Sequence, residues 1–240
     1  MLPRFIFIAP EPRPPRKAGV KPKTSLCASW KQAIQEHLST DESFITVIEG
    51  KFNGIDAEKL RCDCIVSPAN SFGIMDGGFD LELSRYLKGT GDMWSLTNHC
   101  QAYIRETWHG FVPPGSCTLV PLPDDVAGPN NAWHIRVVAM VPTMRTPEDV
   151  SWHQDIIYSC MWSLLVQLEH WNKTAHENGR EKIESVLMTG LGTGQGGISS
   201  EKCAQQMILA VKHFHEELPP QLRWVDVRQR TTEVERSTEL

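Results

Sequence analysis

Short apolar runs alternate along the chain with longer stretches whose apolar residues recur every three or four positions, a pattern of strands interleaved with helices. Phe5-Ile6-Phe7-Ile8 is β-branched and aromatic and predicts a first strand over residues 3–8. Ser25 then caps a helix carrying Leu26, Trp30, Ile34 and Leu38, with breakers at Ser39-Thr40-Asp41. Phe44 to Ile48 alternates as a second strand, and strand, helix, strand predicts parallel pairing. Cys64-Ile65-Val66, bounded by Pro68, is too brief for a helix and predicts a buried strand. A polar, glycine-bearing loop follows it at once, and helical spacing resumes at Leu81, Leu83, Tyr86 and Leu87.

Downstream, Met93, Leu96, Cys100, Ile104 and Trp108 predict a helix that ends at Gly110. Cys117 to Val120 reads as a strand closed by Pro121 and Pro123, and Trp133 to Val141 as the longest apolar strand, with His134 and Arg136 on one side. Asp155 to Trp171 is the longest helix; Trp152, Trp162 and Trp171 are read as core rather than as an aromatic binding stripe. Val186-Leu187-Met188 predicts a strand, followed by a second glycine loop and a helix from about 200 to 217 that Pro219-Pro220 stops. Leu222 to Val227 is expected to add a late edge strand, and Thr231 to Leu240, with no apolar stripe, to be disordered. One domain over residues 1–228 with a tail at 229–240 is the resulting division.

Composition narrows the class. With 240 residues and 40% hydrophobic content the chain can build one substantial core. A net charge of -5 argues against a general nucleic-acid-binding surface, and no apolar run is long enough to span a bilayer, so an intracellular protein, cytoplasmic or nuclear, is expected. The Pro-rich stretch at 9–24 carries Arg13, Arg16, Lys17, Lys21 and Lys23 and is either a solvated connection or a basic lip for a polyanion. The seven cysteines mostly sit in apolar surroundings and read as small buried residues in a reducing compartment. Cys62 and Cys64, two apart on a strand, lack both turn geometry and a second ligand pair, so no metal site is expected.

Two strand-loop-helix units carry the chemistry. The first loop holds Asn70, Gly73, Asp76, Gly77, Gly78 and Asp80; the second packs Gly190, Gly192, Gly194, Gly196 and Gly197 around Thr193 and Gln195. Glycine lowers local stability, so this density points to packing or to backbone N–H groups presented to an anion. Neither loop is a Walker or a dinucleotide fingerprint.

At these residues the chain resembles the macrodomain family: Asp63-Cys64-Ile65-Val66 stands for its D-x-I-V strand, Ala69-Asn70 for its loop, Asp80 for the acidic residue after the glycines, and Gly190 to Gly197 for its phosphate-cradling loop. The resemblance covers about residues 44–215 and implies an α/β fold, a three-layer α/β/α sandwich on a mixed, largely parallel sheet. It also implies a monomer that binds ADP-ribose or an ADP-ribosylated macromolecule without a metal or cofactor. Cys64, Ser71 and Phe72 join the two glycine loops in the ligand-lining set so implied.

Individual residues admit two readings at this level. By the resemblance Asp63 accepts the adenine amino group; otherwise it is a strand-end charge. Asn70 orients a ribose hydroxyl or forms a turn. Asp80 is a first-turn helix acid or, by the resemblance, activates the water that attacks the distal ribose. Asp76 is an added catalytic group or a side chain turned to solvent. By the resemblance, relatives often carry an aromatic wall beside the distal ribose where this chain has Gln195-Gly196-Gly197; Phe72 or Phe79 supplies that wall from the first loop or belongs to the core. Hydrolysis of an ADP-ribose linkage leads the implied activities. A non-catalytic reader, an ADP-ribose 1''-phosphate phosphatase and a bare scaffold are the alternatives.

Overall fold

The computed structural model describes residues 2–12, 24–38 and 44–240; the basic residues from Arg13 to Lys23 and the breakers at Ser39 to Asp41 lie outside them. Six strands are seen: β1 (Arg4–Ala9), β2 (Ile45–Glu49), β3 (Cys64–Ser67), β4 (Thr118–Pro121), β5 (Val137–Met140) and β6 (Ser185–Met188). They form one sheet in the order β2-β1-β6-β3-β5-β4. All pairs are parallel except β4 with β5, so the sheet is mixed and largely parallel as expected.

Helices cover both faces, as a parallel sheet requires. Alternate residues Phe5, Phe7, Val66 and Val186 pack with Trp30 of α1 (Leu26–His37), Leu164 of α4 (Ile156–Thr174) and Met207 of α5 (Ser200–His215). Ile6, Ile8, Ile65 and Leu187 face the other way, onto Leu83 of α2 (Gly78–Tyr86) and Leu96 and Ile104 of α3 (Ser95–Trp108). The result is the expected α/β/α sandwich. All seven cysteines are free and buried in it. Among the described residues no helix is long and apolar enough to cross a membrane.

Three expectations change. The strand expected over 133–141 begins only at Val137, because Asn131 folds the preceding residues into a turn. Its amide donates to Val126 O and Ile135 O and accepts from Trp133 N and Ile135 N, while His134 adopts a left-handed φ of 59°. Residues 222–240 hold neither an edge strand nor a disordered tail but a helix, α6 (Trp224–Ser237). It docks on α5 through charge rather than an apolar stripe: Glu233 pairs with Lys212 and His213, and Arg230 with Glu216. Of the tryptophans read as core, Trp171 is buried and Trp162 half-buried, but Trp152 precedes its helix and is 73% exposed.

The amino edge of the sheet is fastened by Asp63. Its Oδ1 accepts from Arg136 at 2.7 Å, and its Oδ2 accepts from Glu184 N, Ser185 N and Ser185 Oγ, each at 2.9 Å. These partners stand at the starts of β5 and β6, on either side of β3. Burial would raise the Asp63 pKa, but the bonds from Arg136, Glu184 and Ser185 outweigh it and hold the carboxyl below its ordinary 3.8. A depressed carboxyl stabilises the fold above its ordinary pKa, and that contribution is lost as pH falls through the folded value. Asp63→Asn should therefore cost about 1–3 kcal/mol in urea unfolding at neutral pH, and the gap to the parent should close in acid.

Candidate functional site

β3 and β6 are parallel neighbours, yet the chain leaves them toward opposite faces, into α2 and α5 respectively. A crevice opens at such a point, outside the carboxyl ends of the strands. Both glycine loops emerge there.

The first loop is rigid up to Met75. Asn70 accepts from Phe72 N and Ile74 N and donates to Ile74 O at 2.8 Å, and Ser71 N donates to Met144 O and Arg145 O. Gly73, at φ +66°, lies so close to Met140 and Ile104 that a Cβ would stand 2.7 and 2.9 Å from them. Met75 N donates to Thr97 Oγ1 and Met75 O accepts from Ser84 Oγ. Beyond this point the N–H groups of Gly78, Phe79 and Asp80, in the first turn of α2, have no acceptor among the described residues. They form the positive end of the helix.

The second loop curls on itself. Ile198 N donates to Gly192 O, Gly197 N to Gly194 O, and Val150 N, from the loop after β5, to Gly196 O at 2.9 Å. A side chain at Gly196 would put Cβ 2.6 Å from Gly192 O, so backbone packing demands glycine there. The N–H groups of Thr193, Gly194, Gln195 and Gly196 have no acceptor among the described residues. Two sets of unpaired donors thus rise from neighbouring strands, which suits a ligand with adjacent anionic groups.

Asp80 lies beneath the first set. It is 7% exposed, and its Oδ1 accepts from Ser67 Oγ at 2.8 Å, at the last residue of β3. Burial pushes its pKa up to about 7, against the Ser67 hydrogen bond and with a further push from the Asp76 charge. A carboxyl poised there can exchange a proton near neutrality.

A family model described as Macro-like domain matches residues 19–227, which takes in both loops and every strand but β1. The chain belongs to the Macro-like domain family. No curated protein matches it. Among solved structures this macro-like domain is similar to the macrodomain of Mycobacterium tuberculosis DarG, at 17% identity and a TM-score of 0.45 over 69% of this chain and 88% of that one. It is also similar to a mutant Oceanobacillus iheyensis macrodomain with ADPR, at 14% identity and a TM-score of 0.46 over 75% of this chain and 88% of that one. The same protein with ADP gives 15% identity and a TM-score of 0.45 over 74% and 85%.

In this macro-like domain the expected site residues divide. Asp76, Gly77, Gly78, Asp80 and the second loop gather at the carboxyl edge. Asp63 does not: it lies at the opposite end of β3, about 13 Å of strand away, with both oxygens engaged. The adenine role implied for it is replaced by a structural one. Cys64 likewise points into the core, wholly buried. Asn70 spends its amide on its own loop, the turn-forming reading. Ser71 is buried under Met144, and Asp76 is exposed. Phe72 is 37% exposed and meets Phe111 edge to face at 5.7 Å, whereas Phe79 packs on Phe52 at 5.6 Å.

The segment from Pro142 to Arg145, which a parallel β5 is expected to deliver to the rim of the two glycine loops, does reach it, whereas Ser67 and Thr97 shape the site without having been singled out from sequence. Only Ser67 carried a signal, a hydroxyl ending an apolar strand.

Folded Asp80 holds its proton to about pH 7, whereas the unfolded chain releases it near 3.8. Its stabilising effect is full below the lower value and is lost as pH rises through the higher one. Asp80→Asn should thus be more stable than the parent at about pH 8, by on the order of a few kcal/mol, and the advantage should shrink toward about pH 4 in paired thermal melts.

Proposed function

We propose that this macro-like domain binds ADP-ribose in the crevice between its two glycine loops and hydrolyses the bond joining the distal ribose to an acceptor. The observation that carries the reading is the double row of backbone donors without an acceptor among the described residues: Thr193 to Gly196 on one side, Gly78 to Asp80 on the other. A diphosphate has the charge and the spread of oxygens to engage both. Backbone donors need no basic side chain, which accords with a chain of net charge -5.

For hydrolysis Asp80 is the base. Its ionised carboxylate would take a proton from a water beside the distal ribose as that water attacks the anomeric carbon. The bond to the acceptor breaks in concert with that attack, its electron pair leaving with the acceptor, and until the proton is fully transferred the carboxylate steadies the oxocarbenium-like charge on the ribose. A second reading, a reader without turnover, is favoured by the Asn70 amide, which is committed to Phe72 and Ile74 rather than free to align a substrate.

Calorimetry with ADP-ribose, AMP and ATP tests the binding. Micromolar affinity for ADP-ribose, about -8 kcal/mol, is expected. Gly196→Ala should weaken it at least tenfold, since Cβ meets the Gly192 carbonyl, and Asp63→Asn should leave it unchanged. No heat with any nucleotide would overturn the reading. Turnover of an ADP-ribosylated protein should climb about tenfold per pH unit up to about 7 and then level off, as Asp80 ionises. Asp80→Asn should bind but not turn over; a wild-type protein that binds and never turns over is the reader.

A further inference from the structure

The last residue of β3 breaks the pattern of its face. Alternation along the strand puts Ile65 against α2 and α3 and gives Ser67 the same side, yet a hydroxyl stands there, wholly buried. A buried hydroxyl is costly unless it is bonded, and the acceptor it reaches is Asp80 Oδ1, at 2.8 Å. Asp80 Oδ2 has no donor among the described residues, and it is not one of the enclosed polar atoms left without a partner, so this oxygen keeps contact with solvent. One turn along α2, Ser84 Oγ donates to Met75 O at 2.8 Å. Two buried residues on one face of α2 thus tie the helix to β3 and to the loop ahead of it, which fixes how Asp80 is presented.

The arrangement makes the two carboxyl oxygens unequal. Among the described residues the Ser67 hydrogen has no acceptor but Asp80 Oδ1, so Ser67 donates whether Asp80 is charged or neutral. The proton of the neutral acid therefore sits on Oδ2. Asp76, from the first loop, discourages the charge on Asp80; the Cys100 thiol of α3, pushed up to about 12 by burial and then by Asp80, stays neutral. Asp149 lies against Gly197 of the second loop, engaged by Ser151, and is not among the charges that act on Asp80. Against burial and Asp76, Ser67 is the group that favours the ionised form.

We infer that Ser67 is a positioning residue for hydrolysis, holding Asp80 by Oδ1 so that Oδ2 is the oxygen that takes the proton of the attacking water. This rests on the reading of Asp80 as the base and adds which of its atoms acts and what holds it. As the water oxygen bonds to the anomeric carbon, its proton passes to Oδ2 and the bond to the acceptor gives its electron pair to the acceptor. Asp80 then releases that proton, to the departing acceptor or to solvent.

The test compares wild type with Ser67→Ala, which removes the hydroxyl, and Ser67→Thr, which keeps it, each first checked for native circular dichroism. Calorimetry with ADP-ribose should give all three the same affinity within about twofold, because Ser67 is wholly buried and meets no ligand. With an ADP-ribosylated protein as substrate, Ser67→Ala should leave KM little changed and lower the plateau of kcat about tenfold. The break in its pH profile should move up from about 7 by about one unit or more. Ser67→Thr should return both toward wild type; if it does not fold, Ser67→Cys, a weaker donor of similar size, should fall between. A break or a plateau unmoved in Ser67→Ala overturns the assignment, while loss of turnover in Asp80→Asn leaves Asp80 standing as the base. An ADP-ribose affinity that falls along with the rate also overturns it, since Ser67 would then support the crevice as a whole. A wild type that binds ADP-ribose without turnover removes the hydrolytic reading and this inference with it.

Discussion

The architecture hangs on the parallel placement of β3 between β6 and β5. Everything at the carboxyl edge inherits its position from that pairing, and the pairing is fixed from the far end, where one carboxylate collects donors from the starts of both flanking strands. The ladder sets where the two glycine loops emerge about four residues later, and the clamp at the amino edge adds stability to it without touching them. The distance between fastening and function lets the loops give up side chains without losing their place.

Electrostatically the site is built from dipoles in a chain that is acidic overall. Backbone N–H groups attract an anion without the long, flexible cations that a negative protein could otherwise supply only at an entropic cost. Carboxylates nonetheless surround the crevice: Asp76 on the first loop, Asp149 against the second, Asp80 below. Their arrangement separates their roles. Asp76 is exposed to solvent screening, Asp149 is engaged by Ser151, and Asp80 is kept largely protonated below neutrality by its burial. Without that burial its charge would add to those of Asp76 and Asp149 around an anion site.

Much of this was legible in the sequence, where a signal was local. The strand at Cys64 to Ser67, the loops, and the helix after Ser25 follow from runs, breakers and caps that act within a few residues. What escaped was set by partners distant in sequence. Asp63 looks like a ligand contact until Arg136 and Ser185 are brought beside it, more than seventy positions away. β5 loses its first residues to a single asparagine whose hydrogen bonds outcompete an apolar pattern. Helix α6 has no apolar stripe to read because α5 offers it charges, and Trp152 resembles core in a list of tryptophans because only the fold reveals that it stands before its helix.

The distribution of the cysteines gives the molecule a built-in gauge of its own opening. Cys27 sits in α1, Cys64 in the sheet, Cys100 in α3, Cys160 in α4 and Cys203 in α5, so each layer holds a thiol. Burial pushes every one of them above its ordinary pKa, several to about 12, so the native state presents essentially no thiolate to an electrophile. Alkylation therefore proceeds only through excursions away from the folded state, and the order in which the sulfurs become modified ranks the layers by how readily each comes apart.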